Sequence, residues 1–341
     1  MKASAFFGAA TATAMLTGTA YSADGDTLRQ VQSRGQLICG VNPGLIGFAA
    51  PDANGNWTGF DIALCKAVAA VVLGDPSKVN YVPTPGLARF DDLASGKVDL
   101  LARNSTWTFS RDTESGLDFA GINYYDGQGF MVPRSLGVSS AKELGGATIC
   151  VQTGTTTEMN LADYFRANNM SYQQISIASS AEGEQQYMAG ACDSYTTDAS
   201  ALAATRAAFA NPDSHVILPE IISKEPLGPL VRHGDNNWGD IVRWTLYALI
   251  AAEEYGVTSA NIEELSKNSE NPEVQRLLGM TGDLGVMLGL DNDWAKRAIS
   301  ASGNYGEIFA ATIGEQTPIG LPRGLNAQWT QGGLLYAIPF R

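Results

Sequence analysis

Residues 148–218 read TICVQTGTTT EMNLADYFRA NNMSYQQISI ASSAEGEQQY MAGACDSYTT DASALAATRA AFANPDSHVI L, and this stretch decides the fold. Strand-like and helix-like segments alternate along it. Thr148–Val151 reads as a strand, Thr155–Asn168 as a helix, Ser171–Ile177 as a strand and Ser180–Ala189 as a helix. Asp193–Thr196 (strand), Asp198–Ala208 (helix) and His215–Leu218 (strand) complete the rhythm. Such alternation predicts an α/β fold, with parallel-rich sheets flanked by helices.

The same rhythm extends towards the N-terminus. Leu37–Val41 reads as a strand, and Asp61–Val72 as a helix with Ile62, Cys65, Val68, Ala69 and Val72 on one face. Asn80–Val82 and Val98–Leu101 are short strands with a helix at Ala88–Ala94 between them. Two longer extended segments, Tyr124–Val132 and Pro219–Pro229, match what a two-lobe protein with two hinge crossovers needs. On that reading residues 24–126 and 222–341 form lobe 1, and residues 127–221 form lobe 2. The competing reading makes both segments ordinary strands of one large domain. Beyond them Asn236–Tyr255 is a helix with Trp238, Ile241, Val242, Leu246, Leu249 and Ile250 at helical spacing, stopped by Gly256. The remainder, through Asn304–Ile313, reads as extra C-terminal helices that wrap lobe 1.

The bulk composition agrees. The chain has 341 residues, 45% hydrophobic and 17% charged, which is enough for two packed lobes. Its formal net charge is −13 with no basic cluster, which argues against a nucleic-acid partner or an anionic membrane surface. Met1-Lys2, a small apolar run and small residues up to Ala23 fit a secretory signal peptide over residues 1–23, cut after Ser22 or Ala23. An Ala-rich N-terminal helix is the alternative. No later run approaches the ~20 apolar residues of a membrane span. Export would permit disulfides among Cys39, Cys65, Cys150 and Cys192. Of three possible pairings, Cys39–Cys65 and Cys150–Cys192 are favoured, because each then joins neighbouring elements of one lobe. A zinc site would need CxxC spacing or paired histidines, and His215 and His233 stand far from any cysteine cluster. No metal and no cofactor are expected.

Enzyme readings find little support. There is no GxSxG elbow, and no GxGxxG or GxxxxGK[ST] follows a strand. What stands out is a set of groups suited to a zwitterion, whose carboxylate calls for a guanidinium and N–H groups and whose ammonium calls for a carboxylate. Arg111 follows strand Val98–Leu101 in the polar loop that also carries Arg103, Asn104 and Thr106, at a strand end where α/β proteins place ligands. As an alternative, Arg111-Asp112 is a surface ion pair. Gln152–Glu158 joins a strand to a helix with capping-box spacing, leaving the N–H groups of Thr156 and Thr157 for an anion. Asp198 ends strand Asp193–Thr196. Its bland role is a helix N-cap, stabilising by about 1 kcal/mol; its functional role is to accept an ammonium.

Several stretches together resemble a known family. Gly47-Phe-Ala-Ala-Pro-Asp-Ala-Asn-Gly-Asn-Trp-Thr-Gly-Phe-Asp61, Thr106-Trp-Thr-Phe-Ser-Arg-Asp112, Asn123–Val132 and Val151–Asn160 are similar to the polar amino-acid periplasmic solute-binding proteins of ABC importers, in their general L-amino-acid-binding branch. So are Cys192–Asp198, Leu218–Gly228 and Gly303–Phe309. The resemblance implies a two-lobe type II periplasmic binding protein that captures free L-amino acids and passes them to an inner-membrane ABC permease. It implies a monomer and no enzymatic activity. Arg111 and Thr106 would hold the α-carboxylate from lobe 1, Thr156 would complete that grip from lobe 2, and Asp198 would take the α-ammonium. Relatives often carry an acidic and an aromatic residue after the first strand; here Asn42 and Leu45 stand there, which suits broad, acidic or amide side chains over cationic ones. Arg103 would meet a side-chain carboxylate or amide, or be a solvated flank. A cyclohexadienyl or arogenate dehydratase on the same scaffold, and a receptor's sensing module, are the rival functions.

Overall fold

The structure is a computed structural model, described over residues 26–341; the expected signal peptide lies outside those residues. Two five-stranded sheets organise the chain. The first runs, in spatial order, Val79–Pro83, Leu37–Val41, Leu100–Leu101, Leu230–Arg232 and Leu117–Phe119. The second runs Gln173–Ile177, Thr148–Gln152, Ser194–Asp198, Gln128–Pro133 and His215–Ile217. In each sheet the first three strands are parallel, joined through helices, and the fourth is antiparallel to both its neighbours. That fourth strand is the one delivered by a crossover. Helices follow the parallel strands because a parallel return needs a long connection, and the expected α/β fold is the one observed.

The two crossovers are not independent. Tyr124–Asp126 and Glu225–Leu227 pair antiparallel as a two-stranded ribbon, with Glu225 opposite Asp126 and Leu227 opposite Tyr124. The sequence reading had the first as one long extended segment and the second as extended but interrupted by Pro226 and Pro229. In fact Gly127 breaks the first into two strands, and only three residues of the second are paired.

Helix Phe60–Leu73 departs from its expected single apolar face, since eleven of its residues are buried. The reason is a further layer. Helix Trp294–Ser302 packs along the helix's outer side, and the Ser302 hydroxyl donates to the Ala63 carbonyl at 2.9 Å. The C-terminal helices therefore do cover the first sheet, and a helix apolar all round is what a sandwiched position requires. Helix Asn236–Glu254 buries each of its six expected apolar residues, and Trp238 Nε1 donates to the Asp99 carbonyl at 2.9 Å.

Both favoured disulfides are present: Cys39–Cys65 spans 26 residues and Cys150–Cys192 spans 42. Cys192 sits two residues before strand Ser194–Asp198. The four cysteines are buried, within the first sheet's core or the second's. Chain-entropy arithmetic puts loops of these lengths at roughly 3.5 and 4 kcal/mol. The Cys150→Ser/Cys192→Ser variant is expected to lose stability of about that size in urea unfolding. A variant as stable as the parent would show that the reduced chain keeps those two segments together by itself.

Candidate ligand-binding cleft

The strand ends of the two sheets face each other. On the first side, residues 102–106 leave strand Leu100–Leu101, and Thr106 bridges to Leu227 of the hinge ribbon. A short helix then forms at Phe109–Glu114, where the sequence suggested only loop. Thr108 caps it, its hydroxyl accepting from the Arg111 N–H at 3.3 Å. The cap fixes the direction of Arg111: Nη1 donates to the Thr106 carbonyl at 2.9 Å, and the guanidinium lies over the Phe90 ring at 5.1 Å. The Arg111–Asp112 surface pair is not formed.

Two further guanidiniums lie deeper. Arg103 is buried and its Nε donates to the Thr84 carbonyl at 3.1 Å. It is not a solvated flank. Arg89 opens helix Arg89–Ala94, is 3% exposed, stacks over Phe90 at 4.6 Å, and its Nε has no partner. Burial pulls Arg103 down to about 10, with Asp61 and Asp198 opposing the shift. Burial also holds Arg89 well below its ordinary value, and the charges of Arg103 and Arg111 add to that fall while Asp198 resists it. Groups of like charge crowded out of water in this way call for an anion.

On the second side, strand Thr148–Gln152 ends in a turn that Gly154 makes possible with φ of +70°. Thr155 is the N-cap of helix Thr156–Ala167, accepting from the Glu158 N–H at 3.2 Å. The expected reciprocal half of a capping box is displaced by one residue, since Glu158 accepts from the Gly154 N–H at 2.9 Å. The N–H groups of Thr156 and Thr157 lie in the first turn, where helix geometry leaves them unpaired within the helix.

Asp198 closes strand Ser194–Asp198 at the start of helix Ala199–Ala208, yet its side chain makes no capping bond. It turns into the cleft instead, where Asn104 Nδ2 of the opposite side donates to it at 3.5 Å. Asn104 is itself oriented by Asn42, whose Nδ2 donates to Asn104 Oδ1 at 2.9 Å. Burial holds the Asp198 carboxyl well above the usual range. Asp126 and Glu225 push it higher, while Asn104 and Arg89 pull it back.

The two sides touch. The Thr106 and Thr156 hydroxyl oxygens are 3.4 Å apart, and a Cβ on Gly154 would come within 2.3 Å of Leu87. Of the seven residues singled out from sequence, Arg103, Asn104, Thr106, Thr156, Thr157 and Asp198 line this one cavity, as do Asn42 and Leu45. Arg111 is not among the residues that line it, but its guanidinium lies within electrostatic reach of Glu225 and Asp198. The sequence reading passed over Arg89 and Glu225. Arg89 had a legible signal: a cation in the first turn of a helix opposes the macrodipole, and that turn follows strand Val79–Pro83 at the same sheet edge.

The geometry defines a class: a two-lobed α/β protein with a small, polar, charge-paired cleft between the strand ends of its lobes. The chain belongs to the bacterial extracellular solute-binding proteins, family 3, whose model matches residues 37–261. It is 70% identical over 341 residues, all of both chains, to the "Glutamate/glutamine/aspartate/asparagine-binding protein BztA" of Rhodobacter capsulatus. It is 56% identical over 335 residues, 98% of each chain, to the "General L-amino acid-binding periplasmic protein AapJ" of Rhizobium johnstonii. Among solved structures, a periplasmic binding protein from Brucella ovis with glutathione bound matches with a TM-score of 0.91 at 57% identity, covering 93% of this chain and 99% of that one.

Proposed function

We propose that the chain captures free L-amino acids with acidic or amide side chains and delivers them to an inner-membrane ABC permease. It works in the periplasm, as a monomer, by closure of residues 127–221 onto residues 24–126 and 222–341, without cofactor or catalysis. The α-ammonium goes to Asp198 and to the Asn104 carbonyl oxygen. The α-carboxylate goes to Arg111, Thr106 and the N–H groups of Thr156 and Thr157, and the side chain goes to Arg89 and Arg103.

One observation carries this reading: two buried guanidiniums, Arg89 and Arg103, share a cavity with a buried carboxyl, Asp198. That is the charge pattern of an amino acid with an extra anionic or amide group, and it repels lysine and arginine. Closure is favoured because each lobe meets only part of the ligand. The ligands named for the Rhodobacter capsulatus relative fit the same chemistry.

The test is calorimetry of unfolded and refolded, ligand-stripped protein against the twenty amino acids. Glutamate, glutamine, aspartate and asparagine are expected to bind in the micromolar range or tighter, about −8 kcal/mol or better. Lysine and arginine are expected to be at least tenfold weaker. Equal binding of the cationic amino acids would remove the case for the arginine pair. Glutathione belongs in the same series, since its γ-glutamyl end presents a free α-amino acid.

A further inference from the structure

Glu225 is 1% exposed and sits on the hinge ribbon. Its carboxylate is surrounded by donors from three parts of the chain. Oε2 accepts from the Thr106 hydroxyl of the first lobe and from the Thr156 hydroxyl of the second at 3.0 Å. Oε1 accepts from Asn160 Nδ2 of the second lobe at 2.7 Å and from the Ser223 hydroxyl beside it at 2.6 Å. Four donors on one buried carboxylate leave it well satisfied, and they come from both sides of the cleft and from the ribbon itself.

We propose that Glu225 is a hinge-borne clasp: a positioning residue that ties Thr106 and Thr156 together across the cleft and so slows reopening once a ligand is inside. The proposal rests on the amino-acid-binding reading and deepens it. A threonine hydroxyl has one proton. In both residues that proton is directed to Glu225, so the oxygen offers the cleft only lone pairs. The ligand's α-carboxylate is therefore held by backbone N–H groups and the Arg111 guanidinium, and the two hydroxyls act on the protein. Thr106 and Thr156 then meet the ligand through their backbone N–H groups, and their hydroxyls are struts of the closed form. Asp126, opposite Glu225 in the ribbon, is already supplied by the Ser200 hydroxyl and the Gly127 N–H at 2.8 Å, so it does not compete for the threonines.

Stopped-flow fluorescence with L-glutamate on the full mature chain tests this. Glu225→Gln keeps the shape but turns part of an all-acceptor group into a donor facing donors. It is expected to raise the dissociation rate tenfold or more while the association rate changes less than threefold, because closing follows encounter. Thr156→Val, which removes one hydroxyl at constant volume, is expected to do the same to a smaller degree and stands in if Glu225→Gln does not fold. In the double variant the two effects are expected not to multiply, since both break one link. The clasp is overturned if either single variant dissociates at the parent rate, or if the two effects multiply as separate ligand contacts would. If the parent itself fails to bind L-glutamate, it is the ligand assignment that falls, and the two failures are distinguishable.

Discussion

Replacing Asp198 by asparagine is expected to weaken L-glutamate binding by about a hundredfold or more, the largest single effect in the cleft. The ligand's ammonium leaves water on closure, and truncating the partner of a buried charge typically costs about 2–5 kcal/mol. The alternative role of Asp198 as a helix cap would cost stability only, but its carboxylate makes no capping bond. The variant is thus expected to unfold near the parent's midpoint while losing binding, with calorimetry reading the second. Near-parental affinity would detach Asp198 from the ligand.

The same residue gives binding a pH dependence with a definite sign. Burial, reinforced by the neighbouring Asp126 and Glu225, raises the Asp198 carboxyl well above 3.8. The ligand's ammonium favours the ionised form and draws the value down on binding. Binding therefore releases a proton wherever the free protein still holds one, and affinity falls as pH drops below that raised value. Calorimetry in two buffers of different ionisation enthalpy would show the release, and Asp198→Asn would abolish it.

Arg89→Met is the second large effect, and it is one of selectivity. Hydrogen bonds to charged groups contribute about 1.5–3 kcal/mol each, so loss of the guanidinium is expected to weaken glutamate and aspartate roughly 10- to 100-fold. Glutamine and asparagine, which carry no side-chain charge, are expected to lose less. Stability is expected to hold or rise. Arg89 is buried with an unpartnered Nε and is pressed by the charges of Arg103 and Arg111, and removing an unfavourably buried charge relieves the fold. A uniform loss for all four ligands, or a lower melting temperature, would make Arg89 a structural group.

Much of the architecture was legible because its signals are local. Strand–helix alternation from Thr148 to Leu218 and the apolar stripe of Asn236–Glu254 both follow from spacings within a few tens of residues, whereas the cysteine pairing was one of three that the sequence allowed. What escaped the reading shares a different cause. The helix at Phe109–Glu114 is six residues long, too short for periodicity to show, and its Thr108 cap is one polar residue among many. Phe60–Leu73 looked half-exposed because the helix that covers it lies more than two hundred residues later. Glu225 went unnoticed because nothing adjacent in the chain marks it as buried, and Arg89 because its one local mark is a place in the first turn of a six-residue helix.

Residue order, through propensity, periodicity and strand-end position, dictated which elements form and which loops could carry a ligand. It did not dictate whether those loops meet. Asn104 reaches Asp198 across 94 residues of chain, and Thr106 reaches Glu225 across 119. Contacts at such separations depend on how two sheets and a paired hinge ribbon pack as whole bodies. Packing therefore selected Arg89 and Arg103 as cleft cations and, of the two roles open to Asp198, left it as the cavity's carboxylate with no capping bond.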